Sequence, residues 1–327
     1  MTMRHTRRAL IAAASLAAVA LPTLSLAQAY PSQPVKLIVG FPPGTAPDTV
    51  TRLVGQKLEA GLKQSVVVDN RAGAGGQIAT QAVAKSAADG YTLLIGEVGS
   101  ISIAPAAFSK LPYDPAKELA VVSEIVRSDF VLVIPASSPH KTLADLLKAA
   151  KASKDRVNFA TFGAGTPGHF GADILGDQAG FKVEPIHYRA TGDAVTAIAN
   201  GDVTAAFVST SFASAQLKGG KMRALATTAP TRSPLLPDVP TFAESGLPKI
   251  DFSAWFAIFA PAGTPAAVLD TLNKQAVAAV QSSDVKQKLS EAGFTVTGTS
   301  RADAEKMVKS EGPRWAAIVK ASGFKGD

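Results

Sequence analysis

The sequence predicts an α/β fold built on mostly parallel sheet. Three observations carry this expectation. Short apolar runs rich in β-branched residues alternate with amphipathic stretches along most of the chain. Glycine- and proline-rich turns separate them. The alternation fills two successive α/β units without a convincing internal repeat, the pattern expected of two lobes around one cleft.

The first 29 residues read as an export leader. Arg4, Arg7 and Arg8 form a basic start, 9–21 is apolar, and small residues lead to Ala27-Gln28-Ala29. Residues 6–10 also resemble a twin-arginine signal, so either export route fits. The apolar run is short for an anchor, and no later stretch reaches the length of a membrane span. A periplasmic protein with no membrane insertion of the mature chain is therefore expected.

After the leader, 35–39 reads as a strand, and Phe41-Pro42-Pro43-Gly44 breaks it. Thr45 and Asp48 have the spacing of a capping box, with Pro47 in the first turn. Val50, Leu53, Val54, Leu58 and Leu62 follow at helical spacing. A loop entering a helix start offers free N–H groups to a carboxylate or phosphate. Next come a strand at 65–69, a glycine-rich loop at 70–76, a helix from 77 to 84, a strand at 91–96 and a loop at 97–102. Residues 121–126 and 130–134 read as two strands separated by the polar Arg127-Ser128-Asp129.

The second unit begins near Pro135. A helix at 142–152 precedes a strand at 157–162, the loop 163–168 and a helix at 169–178. Strand 183–188, helix 193–199 and strand 203–208 follow, the last leading into Ser209-Thr210-Ser211. Strand 222–227 closes the unit, and the proline-rich 233–240 is a connector. Strand 255–260 returns towards the first unit. Segments 266–282, 285–292, 294–296 and 302–319 finish the chain.

Several function classes are disfavoured. The chain has no cysteine, which removes disulfides and thiol catalysis. Its four histidines are scattered and no metal-site spacing occurs, so neither a metal nor a cofactor is expected. The net charge is +7, with 33 basic and 26 acidic residues, three of the basic ones in the leader. The remaining mild positive field would draw small anions, and no basic run with interleaved aromatics points to nucleic acid. Residues 163–168 match G-x-G-x-x-G after a strand, with Glu184 downstream. An exported chain and Pro167 at the helix start argue against a dinucleotide there; a second anion-receiving loop capped by Thr166 is the preferred reading. G-x-S-x-G is absent, which weighs against an exported α/β hydrolase. His169 and His187 read as structural or ligand-contact residues, and Arg71 and Arg189 as candidate partners of a carboxylate. Trp255 and Trp315 read as core or domain-contact residues rather than ligand stackers.

At these loops the sequence resembles the periplasmic receptors of tripartite tricarboxylate transporters, often called Bug receptors. The resemblance rests on Tyr30-Pro31, Phe41-Pro42-Pro43-Gly44 with Asp48, Asn70-Arg71-Ala72-Gly73-Ala74-Gly75-Gly76 and Asp89-Gly90-Tyr91-Thr92-Leu93-Leu94. It continues through Leu111-Pro112-Tyr113-Asp114-Pro115, Leu236-Pro237-Asp238-Val239-Pro240 and Ala260-Pro261-Ala262-Gly263-Thr264-Pro265. It implies a two-lobed Venus-flytrap binding protein that is not an enzyme, closes on a small organic acid and delivers it to the transporter's membrane components. A sensor subunit for a signalling partner is the other binding-protein reading. The implied lobes are 30–132 plus 252–327, and 133–251. Carried over, the ligand contacts are Phe41, Pro43, Gly44, Thr45, Ala46, Gly99 and Ser100 in lobe one. Thr161, Gly163, Gly165, Thr166 and His169 serve in lobe two, with Arg189, Ser209 and Thr210 at the far end of the cleft. The sequence departs from the family pattern where Thr45 replaces a second glycine, where Phe207-Val208-Ser209 replaces Phe-Asp-Asn, and where Tyr188-Arg189-Ala190 replaces Tyr-Lys-Gly. Loss of the acid at Val208 disfavours an amino acid, leaving a dicarboxylate or an aromatic carboxylate as the expected ligand.

Overall fold

In a computed structural model, residues 30–188 and 190–326 are described. The expected leader and Arg189 lie outside the described residues. Strands β1 (Val35–Val39), β2 (Val66–Asn70) and β3 (Thr92–Glu97) run parallel, linked by α1 (Ala46–Leu62) and α2 (Gln77–Ala84). Val50, Val54, Leu58 and Leu62 form the buried stripe of α1, as their spacing requires. A π-helical turn, Gly99–Ile103, continues into α3 (Ala104–Ala107), and α4 (Pro115–Glu118) precedes β4 (Leu119–Pro135).

Beyond β4 the chain forms α5 (Leu143–Ala152), β5 (Val157–Thr161), α6 (Pro167–Ala179), β6 (Val183–His187), α7 (Thr191–Asn200), β7 (Ala205–Ser209), α8 (Thr210–Lys218) and β8 (Met222–Thr227). It returns through β9 (Ser253–Pro261), α9 (Ala266–Gln281), α10 (Ser283–Glu291), β10 (Thr295–Val296) and α11 (Arg301–Ser322). Among the described residues no helix is long and apolar enough to cross a membrane. The strands form one mixed sheet in the order β2-β1-β3-β9-β4-β7-β5-β6, with β8 and β10 also on β4.

The fold turns on β4. Two strands are expected from the sequence, broken at Arg127-Ser128-Asp129; the structure has one continuous strand of 17 residues. The polar residues need not break it, because each stays in the ladder opposite 253–255 of β9. Arg127 ion-pairs with Glu124, and Asp129 accepts a bond from the Thr295 hydroxyl at 3.2 Å. Their polar groups are satisfied without leaving the sheet.

Register then places the two strand sets. The first part of β4 pairs with β9, and its end pairs with β7 and β8. Glu97, at the end of β3, lies opposite Phe256, which lies opposite Val126. Ser209, at the end of β7, lies opposite Phe130. Strands β1–β3 run with β4, whereas β5–β7 run against it. Both sets therefore bring their carboxyl ends to residues 126–130 from opposite sides. Crevices at such ends are where α/β sheets bind ligands.

Behind this crossing lies an aromatic core. Trp255 and Trp315 are fully buried, in keeping with the core role expected of them. Trp315 lies 6.1 Å from Phe170 and 6.5 Å from Phe252, and Phe252 lies 5.3 Å from Phe207. Both indole N–H groups donate to one oxygen of the buried Glu311, at 3.2 Å from Trp255 and 2.8 Å from Trp315.

Candidate functional site

The lobe-one side of the crossing is built by the loops after β1, β2 and β3. Gly40 and Gly76 meet backbone to backbone: a Cβ on Gly40 would sit 2.5 Å from Gly76 Cα. Gly76 in turn lies beside Ser100 and the Phe41 ring. Thr45 is the N-cap residue of α1 by position, but the expected capping box is not formed. The Thr45 hydroxyl donates to the Pro42 carbonyl at 2.7 Å, and Asp48 instead accepts from the Gly44 N–H at 2.9 Å. Asn70 donates to Asp48 at 2.8 Å and to the Phe41 carbonyl at 2.9 Å, and Arg52 completes the group at 2.9 Å. Burial works against the Asp48 charge, but the bonds from Arg52, Asn70 and Gly44 outweigh it and hold the carboxyl below its ordinary range. Pro43 on the same loop and Ala46 at the start of α1 are exposed.

Glu97 does the same at the next loop. Its carboxylate accepts from the N–H groups of Gly99 at 2.9 Å and Ser100 at 3.0 Å. Burial nonetheless pushes this carboxyl up to about 6. The donors expected to receive an anion at Gly44, Gly99 and Ser100 thus already hold the protein's own carboxylates.

The lobe-two side differs. Helices α6, α7 and α8 begin after β5, β6 and β7, and their starts converge on one hollow of about 280 Å³. Pro167 and Gly168 come from α6 with its N-cap Thr166, Thr191 from α7, and Phe212 from α8 with its N-cap Ser209; Phe130, Phe162, Phe207 and Val208 complete it. The positive ends of three helix dipoles meet in an otherwise apolar recess. The Thr166 hydroxyl donates to the Gly163 carbonyl at 2.9 Å and caps α6 by accepting from His169 N–H at 3.3 Å. Ser209 caps α8, accepting from Phe212 N–H at 3.4 Å. Gly163 and Gly165 carry the turn between them, at φ of 125° and 73°, where a side chain would be strained.

Thr166 and Ser209 therefore share the hollow, whereas three other lobe-two candidates sit elsewhere. Thr161 is buried, its hydroxyl 2.6 Å from His187 Nδ1. Thr210 is buried with its hydroxyl donating to the Asp129 carbonyl at 3.1 Å, and lines a separate hollow with Lys286 and Thr295. His169 is buried behind the loop and accepts the Gly165 N–H on Nδ1 at 3.1 Å, which leaves the ring proton on Nε2. Burial first, and His187 second, lower its pKa to about 4, so it is neutral at ordinary pH.

Sequence reasoning does not single out Phe130, Phe162, Thr191, Phe207 or Phe212. The missing step is α8, whose Ser, Thr, Ala and Gln residues give a weak apolar stripe. Ser209 three residues before Phe212, with Lys218-Gly219-Gly220 at the far end, is the signal that finds it.

Asp173 provides a pH test of this region. Its Oδ2 is buried without a hydrogen-bond partner, 3.8 Å from His169 Nε2. Burial raises its pKa from 3.8 to about 6. The folded state then binds the proton more tightly than the unfolded chain, so stability falls as pH rises from about 4 to about 6 and the cost is complete above that. The shift corresponds to about 2–3 kcal/mol. Asp173→Asn is expected to raise Tm at pH 8, and the gain should shrink below pH 6 and vanish near pH 4 in parallel melts. A gain of constant size across that range would refute the assignment.

The model of the tripartite tricarboxylate transporter family receptor matches residues 50–324. Protein BugT of Bordetella pertussis is 34% identical over 300 residues, covering 91% of this chain and 92% of its own length. The UPF0065 protein in the tcbD-tcbE intergenic region of Pseudomonas sp. (strain P51) is 34% identical over 292 residues, 89% of this chain and 87% of its own. Among solved structures, Rpa4515 of R. palustris with adipate has a TM-score of 0.78 at 31% identity, over 90% of this chain and 99% of its own. MatC (Rpa3494) of Rhodopseudomonas palustris with bound malate gives 0.74 at 31%, over 89% of this chain and 100% of its own. The periplasmic binding protein BugD gives 0.75 at 29%, over 90% and 99%.

Proposed function

The chain belongs to the tripartite tricarboxylate transporter family of receptors, and we propose that it captures a small organic carboxylate by cleft closure and hands it to the membrane components of such a transporter. The family is one of periplasmic solute-binding proteins. Lobe one comprises 30–132 and 252–327 in this reading, and lobe two 133–251. No chemistry is performed on the ligand. A dicarboxylate or an aromatic carboxylate is the ligand class.

One observation carries the reading: the starts of α6, α7 and α8 share one recess at the crossing of β4. Helix starts orient a carboxylate without a buried cation. Closure follows only if the ligand binds the closed state better than the open one. Relatives of known structure support a carboxylate, since one holds adipate and another malate.

A thermal-shift and calorimetry panel of mono-, di- and aromatic carboxylates tests this. A true ligand at about 100 times its Kd stabilises the chain by about 2.7 kcal/mol. Absence of any shift and any heat across the panel contradicts the proposal. Thr166→Val removes both the cap acceptor and the hydroxyl of the recess. It is expected to cost about 1 kcal/mol of stability and to weaken binding about tenfold while the protein stays folded. Unchanged affinity takes Thr166 out of the site.

A further inference from the structure

We propose that the preferred ligand is an aromatic monocarboxylate, with its carboxylate on the starts of α6, α7 and α8 and its ring against Phe130, Phe162 and Phe212. The inference rests on the carboxylate-capture reading and narrows it.

Two independent features lead here. The first is the wall of the recess. Phe162 and Phe212 meet edge to face, with centroids 5.3 Å apart at 71°. Phe130 faces the same space and is backed by Phe252 at 5.4 Å. Both Phe130 and Phe162 are only half-buried, so their rings have surface left to cover. A ligand ring gains from such edges and faces beyond the apolar area it buries. The recess, at about 280 Å³, is also at the small end of ligand sites.

The second feature is the opposite jaw. The N–H groups of Gly44, Gly99 and Ser100 are held by Asp48 and Glu97. A second ligand carboxylate taking any of these three N–H groups would have to displace a carboxylate and then sit beside it, a like-charge contact that disfavours the ionised pair. A neutral ring edge, or a hydroxyl donating towards Glu97, meets no such opposition. The charge on the ligand is therefore needed at one end only.

Calorimetry on the mature chain near neutral pH separates the possibilities with four probes: benzoate, cyclohexanecarboxylate, adipate and malate. Benzoate is expected to bind about three- to tenfold more tightly than cyclohexanecarboxylate, the size of an aromatic pair contribution, and more tightly than either dicarboxylate. Phe162→Leu and Phe212→Leu, each confirmed folded by its melt, should abolish the preference for benzoate over cyclohexanecarboxylate. Adipate or malate binding more tightly than benzoate overturns the inference while leaving carboxylate capture intact. Equal affinity for the two ring acids, or a preference that survives both Phe substitutions, also overturns it. No binding by any of the four, joined to silence across the wider carboxylate panel, overturns carboxylate capture itself.

Discussion

Glu311→Ala is expected to remove about 3–5 kcal/mol of stability, the range for deleting one partner of a buried charged network. Glu311 is the shared acceptor of two indoles, Trp255 on β9 and Trp315 on α11, and also pairs with Arg314 at 3.3 Å. Alanine leaves both buried N–H groups without that acceptor and opens a gap between the helix and the sheet. Each stranded donor costs about 1–3 kcal/mol, and the gap adds to this. Glu311→Gln keeps an oxygen for the indoles and should lose much less, about 1 kcal/mol. Urea unfolding of the three proteins checks the ranking. Equal losses for Ala and Gln would mean that the charge, rather than the acceptor, holds the indoles.

Gly40→Ala is expected to leave a folded protein with a damaged jaw. The new Cβ would lie 2.5 Å from Gly76 Cα, 3.2 Å from Gly76 O and 3.3 Å from Ala79 Cβ. Backbone cannot rotate aside as a side chain can, so the loops after β1 and β2 must separate. Overpacking of this kind costs about 1–3 kcal/mol. Gly76 supports Ser100 and Phe41, so the separation is transmitted to the lobe-one face of the cleft. Misplacement by about 1 Å at a positioning group is enough for a large functional loss, and at least a tenfold drop in carboxylate affinity is expected. Circular dichroism with calorimetry checks it. Wild-type affinity in a destabilised variant would show that this loop contact does not position the ligand.

Much of the fold is legible in the sequence because period and punctuation agree. The buried stripe of α1 and the strand–loop–helix order around 35–62 follow from apolar spacing and the Pro-Pro-Gly break. The sequence misleads where tertiary partners decide. Arg127, Ser128 and Asp129 look like a turn, yet pairing with β9 keeps them in β4. Thr45 and Asp48 have capping-box spacing, but Asp48 is taken up by Asn70 at the end of β2 and by Arg52 one turn along α1, and accepts from Gly44 instead of the Thr45 N–H. Site residues divide in the same way. Thr166 is visible as a cap and Ser209 follows from the family resemblance, and both line the recess. Thr210 is one residue further on, and that step turns its hydroxyl under β4. The four phenylalanines of the recess come from β4, the loop after β5, β7 and α8, and only the register of β4 with β7 brings Phe130 beside Ser209.

The chain has no cysteine, so two can be introduced and labelled without background. Thr49 on α1 and Ala164 in the loop before α6 are exposed, one on each side of the crossing. Spin labels on Thr49→Cys and Ala164→Cys report the distance between the jaws by pulsed dipolar spectroscopy. The account predicts that a saturating carboxylate, at a concentration where calorimetry shows full binding, shortens this distance to a single narrow population. An unchanged distance distribution in the presence of demonstrated binding would contradict capture by closure.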